Sequence, residues 1–467
     1  MSSYFEDTRL AILQLSHHAA DQIFRIRDGF GDELNVHCRL AELAGALTVN
    51  PMLADQNERV CQHIERNSEA ASWHAHHELV FFEFIAPLIV HAHVFYSSYM
   101  SIPGWPISDQ RERELIAEVL ESDRWGGFHS FIPKFEADFA SFQQCRFGVA
   151  AMNGTVTLEA LLEALDIRRG EVIVPAISFI STATAVSRMG ATPVFIDIDE
   201  TFNLDPERVR AAITPETRAI IAVHFGGPMA DMDSLMQIAS EENLLLIEDA
   251  AHAHGSEWKG RRAGSLGRAG SFSFQNGKVM TAGEGGILVS NDEGLMDAAR
   301  EIVNQGRRKG EAWFAHYSLG TNFRMTALQA AVLIAQLERL PEQNCRRAKN
   351  AAIVREELSD CPELHFQCVP RAATVHTNYL LTGWIDGDRN GFHRNLTVAG
   401  FPCTPFYPHT LYNNPLYRDG TAPCRVTPCP VAEARIADGF WIPHRALLGD
   451  ENDARLLAGA MRNALRG

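Results

Sequence analysis

The chain has no paired cysteine framework. Nine cysteines are scattered over 467 residues, and no two form a Cys-x-x-Cys pair. That excludes a disulfide scaffold and a zinc site of this type, and the thiols read as reduced and intracellular. Positive charge is also short. Lys and Arg number 42 against 58 Asp and Glu, a net charge of −16. Such a surface repels nucleic acid and anionic membranes. It does not exclude a small phosphate ligand, which a few backbone N–H groups can hold. The first seven residues show no basic and apolar leader pattern, so a cytoplasmic location is expected. Long apolar runs are missing too. Residues 79–90 come nearest, but they contain Glu83 and Pro87 and soon meet His91 and His93. A bilayer needs roughly 20 apolar residues, so a buried or dimer-facing helix is expected there and no membrane partner. Internal repeats and low-complexity tracts are absent.

What remains is an ordinary globular composition, 46% apolar and 21% charged. The length exceeds one usual core, so two or three domains are expected. Residues 1–105 are helical in pattern and close on Ile102-Pro103-Gly104-Trp105-Pro106, a linker-like break. Residues 106–335 alternate strand-like and helical runs. Residues 336–467 suit a smaller α/β domain. A helix is expected from Met325 towards Arg355, broken near Pro341, and a last one from Asp453.

The strand-like runs at 171–176, 193–199, 219–225 and 244–249 are short and dense in Val, Ile and Leu. With helical crossovers they predict an α/β fold with a mostly parallel sheet covered on both faces. Ligands of such sheets bind at the carboxyl ends of the strands. Asp249 ends one of these runs. Lys278 follows a short strand, inside Gln275-Asn276-Gly277-Lys278-Val279-Met280-Thr281-Ala282-Gly283-Glu284-Gly285-Gly286. An acid at the end of a buried strand is costly unless paired. A lysine and such an acid together suit a pyridoxal phosphate enzyme. The amine condenses with the cofactor aldehyde, and the carboxylate keeps the pyridine nitrogen protonated.

Other residues fall where this cofactor would need them. Asn153-Gly154-Thr155-Val156 opens an amphipathic helix, where Gly154 permits close approach and the N–H groups of Thr155 and Val156 would face a phosphate. Phe179, after a strand, is placed to cover a flat ring. His252 could reach its phenolic oxygen, and Ser273 could give its hydroxyl to the phosphate. Taken singly, each has a plainer reading: a helix cap, a core phenylalanine, a structural histidine, a turn serine. Together and in this order they fit one cofactor.

At this point the motifs resemble a family. Asn153-Gly154-Thr155, Ile247-Glu248-Asp249-Ala250-Ala251-His252, the Lys278 segment and Gly320-Thr321-Asn322-Phe323-Arg324-Met325 resemble the sugar and aminocyclitol aminotransferases of the DegT/DnrJ/EryC1/StrS type, over residues 107–467. The resemblance implies a fold-type I pyridoxal phosphate transferase, homodimeric, with active sites shared between subunits. It implies Lys278 as the cofactor-binding lysine and Asp249 as the partner of the ring nitrogen. Phe179 would stack on the ring, and His252 would lie near the phenolic oxygen. Gly154, Thr155 and Ser273 would hold the phosphate, and Asn322 would reach the phosphate in the neighbouring subunit. Gln275-Asn276-Gly277-Lys278 and Trp441 to Leu448 look like the 3-amino-5-hydroxybenzoate synthases and glutamine:scyllo-inosose aminotransferases. Amino transfer from glutamine or glutamate to a free cyclic ketone is therefore expected, as in antibiotic-type biosynthesis. A dehydration and aromatisation is one alternative, and a non-catalytic regulatory subunit is another. His316, Arg324, Tyr407 and His444 are softer candidates for substrate contact.

Residues 1–105 have no counterpart in that resemblance. His74, His76, His77, His91 and His93 gather there near Glu78 and Glu83. His74 and Glu78 have the i, i+4 spacing that metal ligands can use. A helical appendage is nonetheless expected, and no metal.

Overall fold

The computed structural model describes residues 102–466. Two helices open this part, α1 (Gln110–Glu121) and α2 (Phe131–Phe142). Then follow β1 (Phe147–Ala151), α3 (Gly154–Ala164), β2 (Glu171–Pro175), α4 (Ser181–Arg188), β3 (Thr192–Ile196), α5 (Pro206–Ala212), β4 (Thr217–Val223), α6 (Met232–Glu241) and β5 (Leu245–Asp249). A small hairpin, β6 (Glu257–Trp258) and β7 (Arg261–Arg262), precedes β8 (Ala269–Ser273), β9 (Gly286–Ser290) and α7 (Glu293–Val303). The four expected strands are β2, β3, β4 and β5, each within a few residues of its predicted bounds.

Strands β1 to β5, β8 and β9, with β13 (Arg425–Val426) from later in the chain, form one eight-stranded sheet in the order β1-β9-β8-β5-β4-β2-β3-β13. Strands β3, β2, β4, β5 and β8 are parallel, and β9 runs antiparallel to both β8 and β1. Both faces are covered because each strand is apolar at successive positions. Val172, Val174, Ala219, Ile221 and Ile247 join one core, while Ile173, Ile220, Leu246 and Phe272 join the other. The carboxyl ends of β2, β4, β5 and β8 lie along one edge, which brings together the segments after residues 175, 223, 249 and 273.

Helix α8 (Ala327–Glu357) starts at a capping box. Thr326 accepts from the Gln329 N–H, and the Gln329 side chain accepts from the Thr326 N–H. The helix expected to break near Pro341 runs straight through it for 31 residues. An interior proline costs about 3 kcal/mol. Here Leu333, Ile334 and Leu340 bind one half of the helix to the large core, and Ala351 and Val354 bind the other half to a second core. Packing on both sides of the proline outweighs the one lost backbone bond.

The second core belongs to the last part of the chain: β10 (Leu364–Phe366), β11 (Leu380–Ile385), α9 (Arg389–Val398), β12 (Thr404–Pro405), α10 (Pro415–Arg418), β13 (Arg425–Val426), α11 (Pro430–Asp438), β14 (Gly439–Pro443) and α12 (Glu451–Arg466). Its antiparallel sheet has the order β10-β11-β14-β12. Strand β13 instead returns to the edge of the large sheet beside β3, where Arg425 grips Glu171 with two bonds of 2.6 and 2.8 Å. Among the described residues no helix is long and apolar enough to cross a membrane. The 79–90 run and the His74–Glu78 pair lie outside the described residues.

Candidate active site

Asp249 ends β5 and is buried. Its Oδ2 accepts the Thr182 hydroxyl at 2.7 Å, and its Oδ1 accepts the Ala251 N–H at 3.3 Å. Thr182 in turn pairs with the Ser178 hydroxyl at 2.7 Å. No cation forms an ion pair with Asp249 among the described residues. A buried carboxylate with only neutral donors still needs a positive partner.

Lys278 sits in the loop between β8 and β9, which is closed at its base by the Phe274 N–H donating to the Gly285 carbonyl at 2.7 Å. Its amine lies 4.9 Å over the Tyr379 ring. Burial lowers that amine from the usual 10.5 to about 8, although the charge of Asp249 pulls the other way. Such a lysine keeps a sizeable unprotonated fraction near neutral pH, the form that attacks an aldehyde.

His252, just past Asp249, is buried against Tyr379, ring to ring at 4.3 Å. Burial first, and Lys278 second, hold its pKa well below the usual 6.5, so the ring is neutral. Its Nδ1 accepts the Gly226 N–H at 3.3 Å. Its Nε2–H is therefore the donor left to face the site.

Gly154 begins α3 against the end of β8. A Cβ at Gly154 would stand 2.6 Å from the Ser273 Cβ, so only glycine permits this approach. One expectation changes here. The N–H groups of Thr155 and Val156 are already taken by the Asn153 side chain, at 3.1 and 3.0 Å. An extended asparagine at a helix cap does this by preference. The Thr155 hydroxyl instead pairs with the Ser181 hydroxyl at 2.7 Å. Phe179 stands 59% exposed on the turn before α4. Asn322 is exposed, on a segment bridged to Asn304.

Of the softer candidates, Tyr407 is close enough for the charges of Tyr379 and Asp249 to act on it, and burial raises its hydroxyl pKa above the usual 10. His444 donates from Nε2 to the Gly277 carbonyl at 3.2 Å, next to Lys278. Arg324 bonds Asn304 and Gln305, and His316 bonds the Gln305 carbonyl. The sequence reading missed Thr182, Tyr379 and His254. Only Thr182 left a trace, four residues after Ser178 in a turn rich in hydroxyls.

The profile of the DegT/DnrJ/EryC1/StrS aminotransferase family matches residues 106–460. The chain belongs to this family. The 3-amino-5-hydroxybenzoate synthase of Amycolatopsis mediterranei (strain S699) is 35% identical over 379 residues, covering 78% of this chain and 97% of that one. The L-glutamine:2-deoxy-scyllo-inosose aminotransferase of Micromonospora echinospora is 36% identical, over 76% of this chain and 92% of its own. A crystal structure of 3-amino-5-hydroxybenzoic acid synthase superposes with a TM-score of 0.75 at 35% identity, over 78% of this chain and 98% of that one. The protein is thus a pyridoxal phosphate-dependent aminotransferase, and the reading as a non-catalytic subunit falls. The residues present suit the cofactor: a buried carboxylate with no ion-pair partner among the described residues, a desolvated lysine, and a glycine that lets a helix start press against Ser273.

Proposed function

We propose that this aminotransferase moves an amino group from glutamine or glutamate to a free cyclic ketone, with Lys278 and Asp249 as its catalytic residues. The observation that carries the reading is the Lys278 amine, desolvated to about 8 within the field of the buried Asp249. When bound, pyridoxal phosphate supplies the electron sink that lets the α-proton of the donor leave. Lys278 populates both protonation states near neutral pH, so it can take that proton and return it. Asp249 would hold the ring nitrogen and keep it protonated. His252 would offer Nε2–H to the phenolic oxygen, and Phe179 would cover one ring face. Gly154, Ser273 and the Thr155 hydroxyl, which pairs with Ser181, would hold the phosphate, because the Thr155 N–H is already taken by Asn153.

The choice of a free ring rests on Gln275-Asn276-Gly277-Lys278 and on the names of the two relatives, which denote a hydroxybenzoate and a scyllo-inosose. The likeness to the hydroxybenzoate synthase also favours a second reading. In it the same Lys278 amine takes a ring proton and water leaves an aminated cyclohexenone. Purified enzyme offered glutamine or glutamate, with a keto-cyclitol or an aminodehydroshikimate-type ring, separates the two. An aminated cyclitol supports the first reading, and an aromatic product alone supports the second. A cofactor spectrum that responds to no amino donor overturns both.

The site is completed by a second copy of the chain. Phe314 and Leu319 are 86% and 88% exposed, and exposed Phe128 and Trp313 pack edge to face at 5.2 Å. Exposed large apolar side chains of this kind suit a subunit interface. Asn322, three residues beyond Leu319, would enter the partner's site from there. Phe314→Asp with Leu319→Asp yields a monomer in sedimentation if this holds, and an unchanged oligomer overturns it.

A further inference from the structure

The Lys278 loop is held from outside by three side chains. The Trp105 indole Nε1–H donates to the Asn276 carbonyl at 2.8 Å. His444 Nε2 donates to the Gly277 carbonyl at 3.2 Å, and His254 Nε2 meets the Ser273 carbonyl at 2.9 Å. Trp105 also stands edge-on to the His444 ring at 4.5 Å. His444 is nearly parallel to the Tyr379 ring at 5.9 Å, and Tyr379 is the ring beneath the Lys278 amine. The contacts therefore form a chain from Trp105 through His444 and Tyr379 to the amine, while the same two donors hold the backbone just before Lys278.

Both imidazoles act as neutral donors. Arg347 is fully buried, with Nε on the Thr377 carbonyl and Nη2 on the Asn344 side chain. Burial first, then neighbouring positive charge including Arg347, holds His254 at about 3 and His444 well below 6.5. A neutral imidazole has one N–H, and in each ring the carbonyl contact places it on Nε2.

We propose that Trp105 is a positioning residue for Lys278: its indole N–H, acting with His444, holds the Asn276–Gly277 turn so that the amine stays over Tyr379. Asn276 and Gly277 are exposed, so their carbonyls would otherwise turn towards water. Nothing within the loop replaces these bonds. Its internal contacts to Gln275, from the N–H groups of Gly277 and Lys278, orient donors and leave both carbonyls free. The inference rests on Lys278 being the cofactor lysine and is independent of which ketone is used.

Full-length Trp105→Phe keeps a ring against His444 and removes only the N–H donor. In cofactor-free protein, acetylation of Lys278 followed across pH by peptide mass spectrometry reports the amine directly. The wild-type midpoint is expected near 8, and in Trp105→Phe it is expected to move up by about half a pH unit or more as water reaches the amine. In the holoenzyme kcat falls roughly fivefold to tenfold, the size of one hydrogen bond, while KM for both substrates stays within about twofold. A merely packed tryptophan predicts Trp105→Phe equal to wild type in both readouts, and that result overturns the proposal. If Trp105→Phe fails to fold, His444→Leu and His444→Gln decide. The proposal expects the amine to move in His444→Leu and to stay in His444→Gln, which retains an N–H, and equal behaviour of the two overturns it. Cofactor uptake and turnover by Lys278→Ala would instead refute the cofactor-lysine reading, whatever Trp105 does.

Discussion

Thr182 Oγ1 donates a 2.7 Å hydrogen bond to Asp249 Oδ2. That bond joins the first turn of α4 to the end of β5 and holds the carboxylate in one orientation. Thr182→Val keeps the shape and removes the donor. Turnover is expected to fall roughly threefold to tenfold, as for one neutral hydrogen bond. Asp249→Asn removes the charge itself and is expected to cost about a hundredfold, as for a charge-assisted bond. Steady-state kcat at saturating cofactor checks both.

Gly154→Ala places a methyl 2.6 Å from the Ser273 Cβ. The start of α3 must withdraw from β8, a strain of about 1–3 kcal/mol. Affinity for pyridoxal phosphate is expected to fall on the order of tenfold, read by titrating cofactor-free protein and following its fluorescence.

The Lys278 amine sets a pH dependence. Burial lowers its pKa from 10.5 to about 8, and only the unprotonated amine attacks an aldehyde. Capture of pyridoxal phosphate by cofactor-free protein is therefore slow at pH 6, rises through pH 8 and levels above it. Stopped-flow absorbance gives this profile. A midpoint near 10.5 would mean that the amine is not desolvated.

Glu248 points to the other side of the sheet from Asp249 and is fully buried. It accepts from His224 Nε2 at 2.9 Å and from the N–H groups of Gly264, Leu266 and Gly267 at 2.7, 2.9 and 2.6 Å. Burial alone would raise its pKa, but these donors overcome it and leave the carboxyl below its usual value. A lowered carboxyl pKa contributes stability above the usual carboxylate range, lost as pH falls through it. Glu248→Ala is expected to cost about 3–5 kcal/mol in urea unfolding at pH 7, because it leaves several buried donors unpaired.

The sheet was legible because β2 to β5 are apolar on both faces, which only a covered parallel sheet requires. The placement of Asp249 at the end of a buried strand and of Lys278 in a glycine-rich loop was legible, because an acid there is costly and a lysine there unusual. Pro341 misled, since packing on distant residues decides whether a helix survives a proline. The contact of Trp105 with the Lys278 loop was invisible, because its partner Asn276 lies 171 residues away. At Asn153 the plainer reading, a helix cap, is the one the structure shows: its side chain takes the Thr155 and Val156 N–H groups that a phosphate would use.

The central claim is that Lys278 holds the cofactor. Holoenzyme reduced with borohydride, digested and mapped by mass spectrometry tests it most directly. The cofactor mass is expected on the peptide containing Lys278. Its appearance on Lys134, Lys259, Lys309 or Lys349, or on no lysine, would contradict the account.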